Sequence, residues 1–158
     1  MRSQFLSNIL LMLIWVFLTG TYNTYNFSFG FVIGFLIIWL IGSSVGETKY
    51  VKILPRIIAF FFYFVYELVL ANLEVAYEVM TPHLYVTPGI IKIPLDVETN
   101  LEISFLANLI TLTPGTLSLD VSDDRKVLYV HSMYVKDKDE FIHHIKNGFE
   151  RRILLITR

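Results

Sequence analysis

The sequence predicts a membrane α-helical hairpin plus an amphipathic membrane-associated helix, followed by a small α+β (βαββα) domain. Three observations lead there. Of 158 residues, 54% are hydrophobic and 17% charged, and the mean hydropathy is +0.58, too apolar for an ordinary water-soluble domain of this length. Two apolar runs, residues 5–22 and 25–42, are separated only by Asn23 and Thr24. Beyond Pro82 the apolar runs give way to short alternating segments punctuated by Pro, Gly and Asp, the pattern of strands and turns. The expected domains are residues 1–54 (hairpin and inner loop), 55–82 (interfacial or third membrane helix) and 83–158 (α+β domain).

The first run makes about 27 Å of helix, close to the roughly 30 Å of a bilayer's hydrocarbon core. Arg2 ahead of it also suits a secretory signal, but no A-x-A-like site follows and a second apolar run comes at once, so a retained span is expected. The short TYNTYN connection makes the second run an antiparallel neighbour, with Tyr22 and Tyr25 where amphipathic rings prefer to sit. Gly30 and Gly34 are a small-xxx-small pair, suited to close packing against the first helix or to a dimerisation seam. Lys49, Lys52 and Arg56 follow in a short loop, which favours the cytoplasmic side for that loop and the outside for the TYNTYN tip.

Residues 55–80, read as a helix, gather Arg56, Tyr63, Glu67, Ala71, Glu74 and Glu78 into one narrow sector, with Phe60 the apolar intruder. Almost all the remaining surface is Phe, Ile, Val, Leu and Tyr. Only ten apolar residues, 57–66, precede Glu67, so a helix lying at the cytoplasmic interface, or sunk obliquely among other chains, is expected over a third span. A third crossing would also translocate the nine basic residues that follow it.

In the last half, residues 84–97 read as a strand around the turn Pro88-Gly89. Thr99 or Asn100 caps a helix to about Thr111, whose spacing is expected to bury Leu101, Phe105, Leu109 and Leu112. Thr113-Pro114-Gly115-Thr116 breaks that helix, since Pro denies an amide and restrains the residue before it. Residues 117–121 and 127–135 alternate about a polar turn as an antiparallel hairpin. An amphipathic helix over 137–155 closes the chain, with Phe141, Ile145, Phe149 and Ile153 on one stripe.

Composition and motifs exclude several function classes. The net charge is −1 with no basic segment, which disfavours nucleic acid as a partner. The absence of cysteine removes disulfides, thiolate metal sites and cysteine nucleophiles. There is no phosphate-binding Gly loop, no G-x-S-x-G and no H-E-x-x-H, so neither an enzyme nor a cofactor is expected. His143 and His144 point about 100° apart on a helix and cannot chelate one ion in the i, i+4 manner. Asp120, Asp123 and Asp124 suit a solvated turn better than a cation loop. The stripe Glu67, Glu74, Glu78 is the strongest candidate for a role beyond folding, as a contact for another chain or, less simply, an ion-linked group.

The run SFLANLITLTPGTLSLDV followed by VLYVHSMYV resembles the signature of the E-type subunits of the multisubunit Mrp-type (Mnh, Pha) sodium/proton antiporters. The resemblance covers essentially the whole chain, and its specific part is Leu112–Ser118 with Asp120-Val121. It implies an accessory or assembly component of a cell-membrane complex that exchanges cytoplasmic monovalent cations for external protons. The implied partners are the other subunits, membrane lipid and the ions the complex handles, with translocation left to the larger subunits. It also implies a structural turn at Thr113, Pro114, Gly115 and Thr116, whereas the cytoplasmic placement expected for the C-terminal domain rests on the loop charges and the count of crossings. A stand-alone membrane-tethered adaptor for a soluble partner is the alternative from the residues alone.

Overall fold

The first helix, α1 (Arg2–Thr19), ends where Gly20 takes a positive φ of 63° and its amide reaches back to Val16. The computed structural model describes residues 2–45, 49–81, 86–135 and 137–158. The expected strand start at 84 and His83 lie outside them. Helix α2 (Thr24–Val45) begins on Asn23, whose side chain accepts the Asn26 amide at 2.8 Å. Asn26 in turn ties the tip together, accepting from Trp15 Nε1 at 3.0 Å and donating to Thr19 Oγ1 and the Thr21 carbonyl. The uncharged tip therefore satisfies these polar groups internally, as a hairpin near lipid requires. Helices α1 and α2 pack side by side and bury Asn8 and Val16.

Helix α3 (Lys49–Met80) is longer than the expected 55–80, because Pro55 lies inside it rather than at its start. A proline there removes one backbone bond without stopping the helix. Among the described residues, two helices are long and apolar enough to cross a membrane, over Thr24–Ile41 and Val51–Met80, while Gln4–Thr19 is shorter. The chain clusters into two compact units, Met1–Ile57 and Ile58–Arg158, so most of α3 groups with the C-terminal half.

That half has the expected βαββα order. Strands β1 (Gly89–Pro94), β2 (Thr116–Val121) and β3 (Val127–Ser132) form an antiparallel sheet in the order β1-β3-β2. A bulge between Ser118 and Asp120 shifts the register of β2. Asp124 accepts from Ser122 Oγ and the Lys126 amide in the β2–β3 turn, so this acidic loop uses a carboxylate to hold its own shape. One sheet face carries the core residues Ile91, Ile93, Leu128 and Val130.

Helix α4 (Asn100–Leu112) starts with a full capping box. Thr99 Oγ1 accepts from the Glu102 amide, and the Glu102 carboxylate accepts from the amides of Thr99 and Glu98. Its buried face differs from the expected one. Ile103, Leu106, Leu109 and Ile110 are buried, whereas Leu101, Phe105 and Leu112 are 76%, 45% and 61% exposed. Apolar residues lie on both sides of this helix, and the sheet takes the side where Ala107 and Thr111 can bond Ser118 of β2.

The closing helix is likewise not the single regular helix expected. It runs as α5 (Lys138–Ile145), a π segment (Lys146–Glu150) and α6 (Arg151–Thr157). Ile145, Phe149 and Ile153 are buried and Phe141 packs at their margin. The π segment turns Glu150 inward, where its carboxylate accepts the Asp96 and Val97 amides at 2.6 and 3.1 Å and meets Lys146 at 3.2 Å. Burial opposes the charge on Lys146, yet its bond to Asp96 and the nearby Glu150 raise its pKa above the ordinary lysine value.

Candidate interface site

The polar stripe of α3 faces the α+β domain of its own chain. Phe60, the apolar residue in that sector, is 7% exposed and meets Phe105 at 6.1 Å between ring centroids. One turn on, the Tyr63 ring stands edge-on to Phe149 at 5.6 Å, and the Arg152 guanidinium lies 3.6 Å from the Tyr63 centroid, a cation–π geometry. The Tyr63 hydroxyl occupies the place a Cβ would take at Gly148, so the glycine admits the tyrosine at the π segment. Glu67, whose side chain is 12% exposed, pairs with His144 Nε2 at 3.2 Å. Glu78 is buried, while Glu74 between them is exposed. The stripe is thus a seam, where Tyr63, Glu67 and Glu78 are withdrawn from solvent as helix meets domain.

The Thr113–Thr116 turn comes to the same place. Thr113 ends α4, its amide bonding the Ile110 carbonyl and its hydroxyl the Leu109 carbonyl. Gly115 has a φ of 86°, and the Tyr134 ring lies 3.1 Å from its Cβ position. Its carbonyl accepts the Met133 amide at 2.8 Å. Thr116 Oγ1 lies within bonding distance of the Ile110 and Thr113 carbonyls. The motif therefore turns the chain from α4 into β2, with Gly115 supplying the left-handed conformation.

Between the seam and the turn lies a cleft of about 360 Å³, walled by Glu67 and Glu74 from α3, Thr113, Pro114 and Thr116 from the turn, and Asp137, Glu140 and His144 from the start of α5. Leu70, Ile110, Phe141 and Phe149 make its apolar floor. Two groups that the sequence suggests separately, the turn and the glutamates, converge here, although Glu78 is not part of the wall. Among the described residues, no group of three or more His, Asp or Glu could hold a metal ion.

Gly30 and Gly34 belong to the other unit. A Cβ on Gly30 would meet Trp15 at 3.0 Å and the Met12 carbonyl at 3.2 Å, and one on Gly34 would collide with the Asn8 side chain. Both glycines lie against α1. Sequence reasoning missed Glu102 and Glu150, buried carboxylates that accept backbone amides within the domain. The Thr99-x-x-Glu102 spacing is a legible signal for the first, whereas the second depends on the π segment, which has no sequence signature.

Comparison with known proteins gives a consistent picture. The family profile described as Na+/H+ ion antiporter subunit matches residues 8–156. The E-type Na(+)/H(+) antiporter subunit of Alkalihalophilus pseudofirmus is 38% identical over 158 residues, covering 100% of both chains. Its namesake in Bacillus subtilis is 37% identical over the same span. Among solved structures, a chain of the membrane-bound sulfane sulfur reductase, an archaeal respiratory membrane complex, superposes with a TM-score of 0.57 at 32% identity. The match covers 98% of this chain and 99% of that one. A chain of the Mrp complex from Dietzia sp. gives a TM-score of 0.50 at 31% identity, covering 65% of this chain and 96% of that one.

Proposed function

Because this chain belongs to the E-type family of Na+/H+ antiporter subunits, we propose that it binds and braces the other subunits of a monovalent cation/proton antiporter at the membrane–water boundary. It is an accessory and assembly component rather than the main ion path, it is not an enzyme, and it is a multi-pass protein of the plasma membrane. The observation that carries this reading is the full-length match to the E-type relatives, hairpin and domain together.

In the finer reading, residues 1–54 anchor the protein, 55–82 form its junction, and the domain at 83–158 lies in the cytoplasm, on the side favoured by the basic residues Lys49, Lys52 and Arg56. The companion subunits handle the cations and protons. Glu67 is engaged by His144 within the chain, which supports a bracing role for the stripe over an ion pathway; a pathway needs polar groups along its whole length. Thr113, Pro114, Gly115 and Thr116 fix the opposite wall of the cleft, and Gly30 and Gly34 let the hairpin close. Reconstitution tests the whole. Vesicles holding the purified chain alone should show no sodium–proton exchange, and omitting it should cost the complex its assembly or most of its exchange. Exchange by the chain alone would overturn the accessory role, and co-purification with a soluble partner only would favour a tethered adaptor.

A further inference from the structure

We infer that the face of α3 opposite the seam lies flat in the lipid of the membrane interface, so that the α+β domain rests on the bilayer through this helix. The ligand is the acyl-chain and headgroup boundary, not another protein helix. This rests on the reading above and deepens it by naming what covers the outer side of the junction.

From residue 58 to 80 the charged side chains are Glu67, Glu74 and Glu78, all in the seam sector. The opposite arc carries Phe61, Phe62, Val69, Leu73 and Tyr77, each 51–66% exposed. Its one amide, Asn72, donates back to the Leu68 carbonyl at 2.7 Å, so even this polar group asks little of water. Tyr66 and Tyr77 supply aromatic rings with a polar tip, the residue type favoured at the interface.

Connectivity then selects the membrane. Only residues 46–48 separate α2, an apolar helix long enough to span, from the start of α3. So short a connection reaches at most roughly 14 Å, so α3 starts near where α2 leaves the hydrocarbon. The seam excludes a crossing. The domain contacts α3 at Phe60, Tyr63 and Glu67, and Glu78 is still buried, a stretch of about 27 Å. A helix that spanned the bilayer over this length would drag an open-edged sheet into hydrocarbon, where unpaired backbone groups are not tolerated. The outward arc also lacks the small-xxx-small pairs that let membrane helices approach closely, unlike the Gly30/Gly34 face of α2.

Site-directed spin labelling of the intact complex in nanodiscs tests this, starting from the natural cysteine-free chain. Single changes Phe62→Cys, Val69→Cys and Leu73→Cys sample one side of α3, and Asp123→Cys serves as a water-exposed control. The expected result is severalfold greater accessibility to oxygen than to a water-soluble nickel chelate at all three sites, at one shallow depth, with the reverse at position 123. A depth that changes steadily by roughly 16 Å from 62 to 73, the rise of 11 helical residues, would mean a span and overturn the proposal. Low accessibility to both reagents in the complex, restored in the isolated chain, would mean a protein covers the face and would also overturn it. Three sites make the pattern readable if one variant fails to assemble. Failure of the chain to co-purify with companion subunits would sink the antiporter reading instead, and the isolated chain in nanodiscs would still report the depth.

Discussion

At Gly148 one missing methyl group decides whether helix and domain can meet. The Tyr63 hydroxyl fills the position of the absent Cβ, and the ring is trapped between Phe149 and the Arg152 guanidinium. Gly148→Ala is therefore expected to destabilise the Ile58–Arg158 unit by about 1–3 kcal/mol, the usual cost of overpacking. Tyr63→Phe, which removes the colliding oxygen, should recover part of that loss when combined with it. Thermal denaturation of the four chains forms the cycle; a strictly additive result would disprove direct contact. Glu102 makes a second prediction. A Thr157 hydrogen bond and the Thr99 and Glu98 amides hold its carboxyl at about 2, against an ordinary 4.5, despite its burial. A depressed carboxyl stabilises the fold above its unfolded value and loses that contribution as pH falls through the folded one. The domain should therefore weaken from about pH 4.5 down to about 2, and Glu102→Gln should flatten that acid limb. Glu102→Ala should also cost about 1–2 kcal/mol at neutral pH through the lost cap, read from the same melts.

Among the elements, the type and order of helix and strand were legible in the sequence because periodicity and turn chemistry are local. The α4 boundaries follow from Thr99 and Pro114, and the β2–β3 turn from its run of Ser, Asp and Lys. Which face each helix buries was less legible. In α4 both faces are apolar, so Leu101 and Ile103 compete and only the position of β2 decides. In α3 the polar stripe reads as a contact for another chain, but the partners shown for its sector lie in this chain, some 40 to 90 residues further along, at Phe105, His144 and Phe149. The turn at Thr113–Thr116 and the glutamates looked unrelated for the same reason. Packing of α1 on α2 is a case where local spacing suffices. Gly34→Leu should force the helices apart, because Asn8 and Leu11 already crowd its Cβ position, and it should cut the membrane-inserted amount of the protein severalfold. Leu36→Ala, at a position 44% exposed, should leave that amount near wild type in the same membrane-fraction blot. Equal behaviour of the two variants would show that the glycine does not serve the hairpin.

For the whole molecule, the proposed sidedness follows from counting crossings. Helices α1 and α2 account for two, and an α3 that meets the domain at Phe60, Tyr63 and Glu67 cannot supply a third over that stretch without taking the sheet with it. On the proposed reading the domain then stays on the side of Lys52 and Arg56, which lie in the first turns of α3 and, as basic residues close behind a span, favour the cytoplasm. Asp123 is the position from which to ask, since it is exposed while its neighbour Asp124 bonds Ser122 and Lys126 to shape the turn. In a chain with no natural cysteine, Asp123→Cys gives a single reporter. An impermeant maleimide added to intact cells should leave it unlabelled and should react after the membrane is opened. A second reporter, Asn23→Cys at the hairpin tip, should show the opposite pattern, although replacing Asn23 forfeits the bond to the Asn26 amide. Labelling at both positions from outside would require an even number of crossings between them, so that α3 would have to cross as well as α2. That result would convert α3 into a span and detach the seam from its present partner, so the topology of the protein and the packing of Tyr63 on Gly148 stand or fall together.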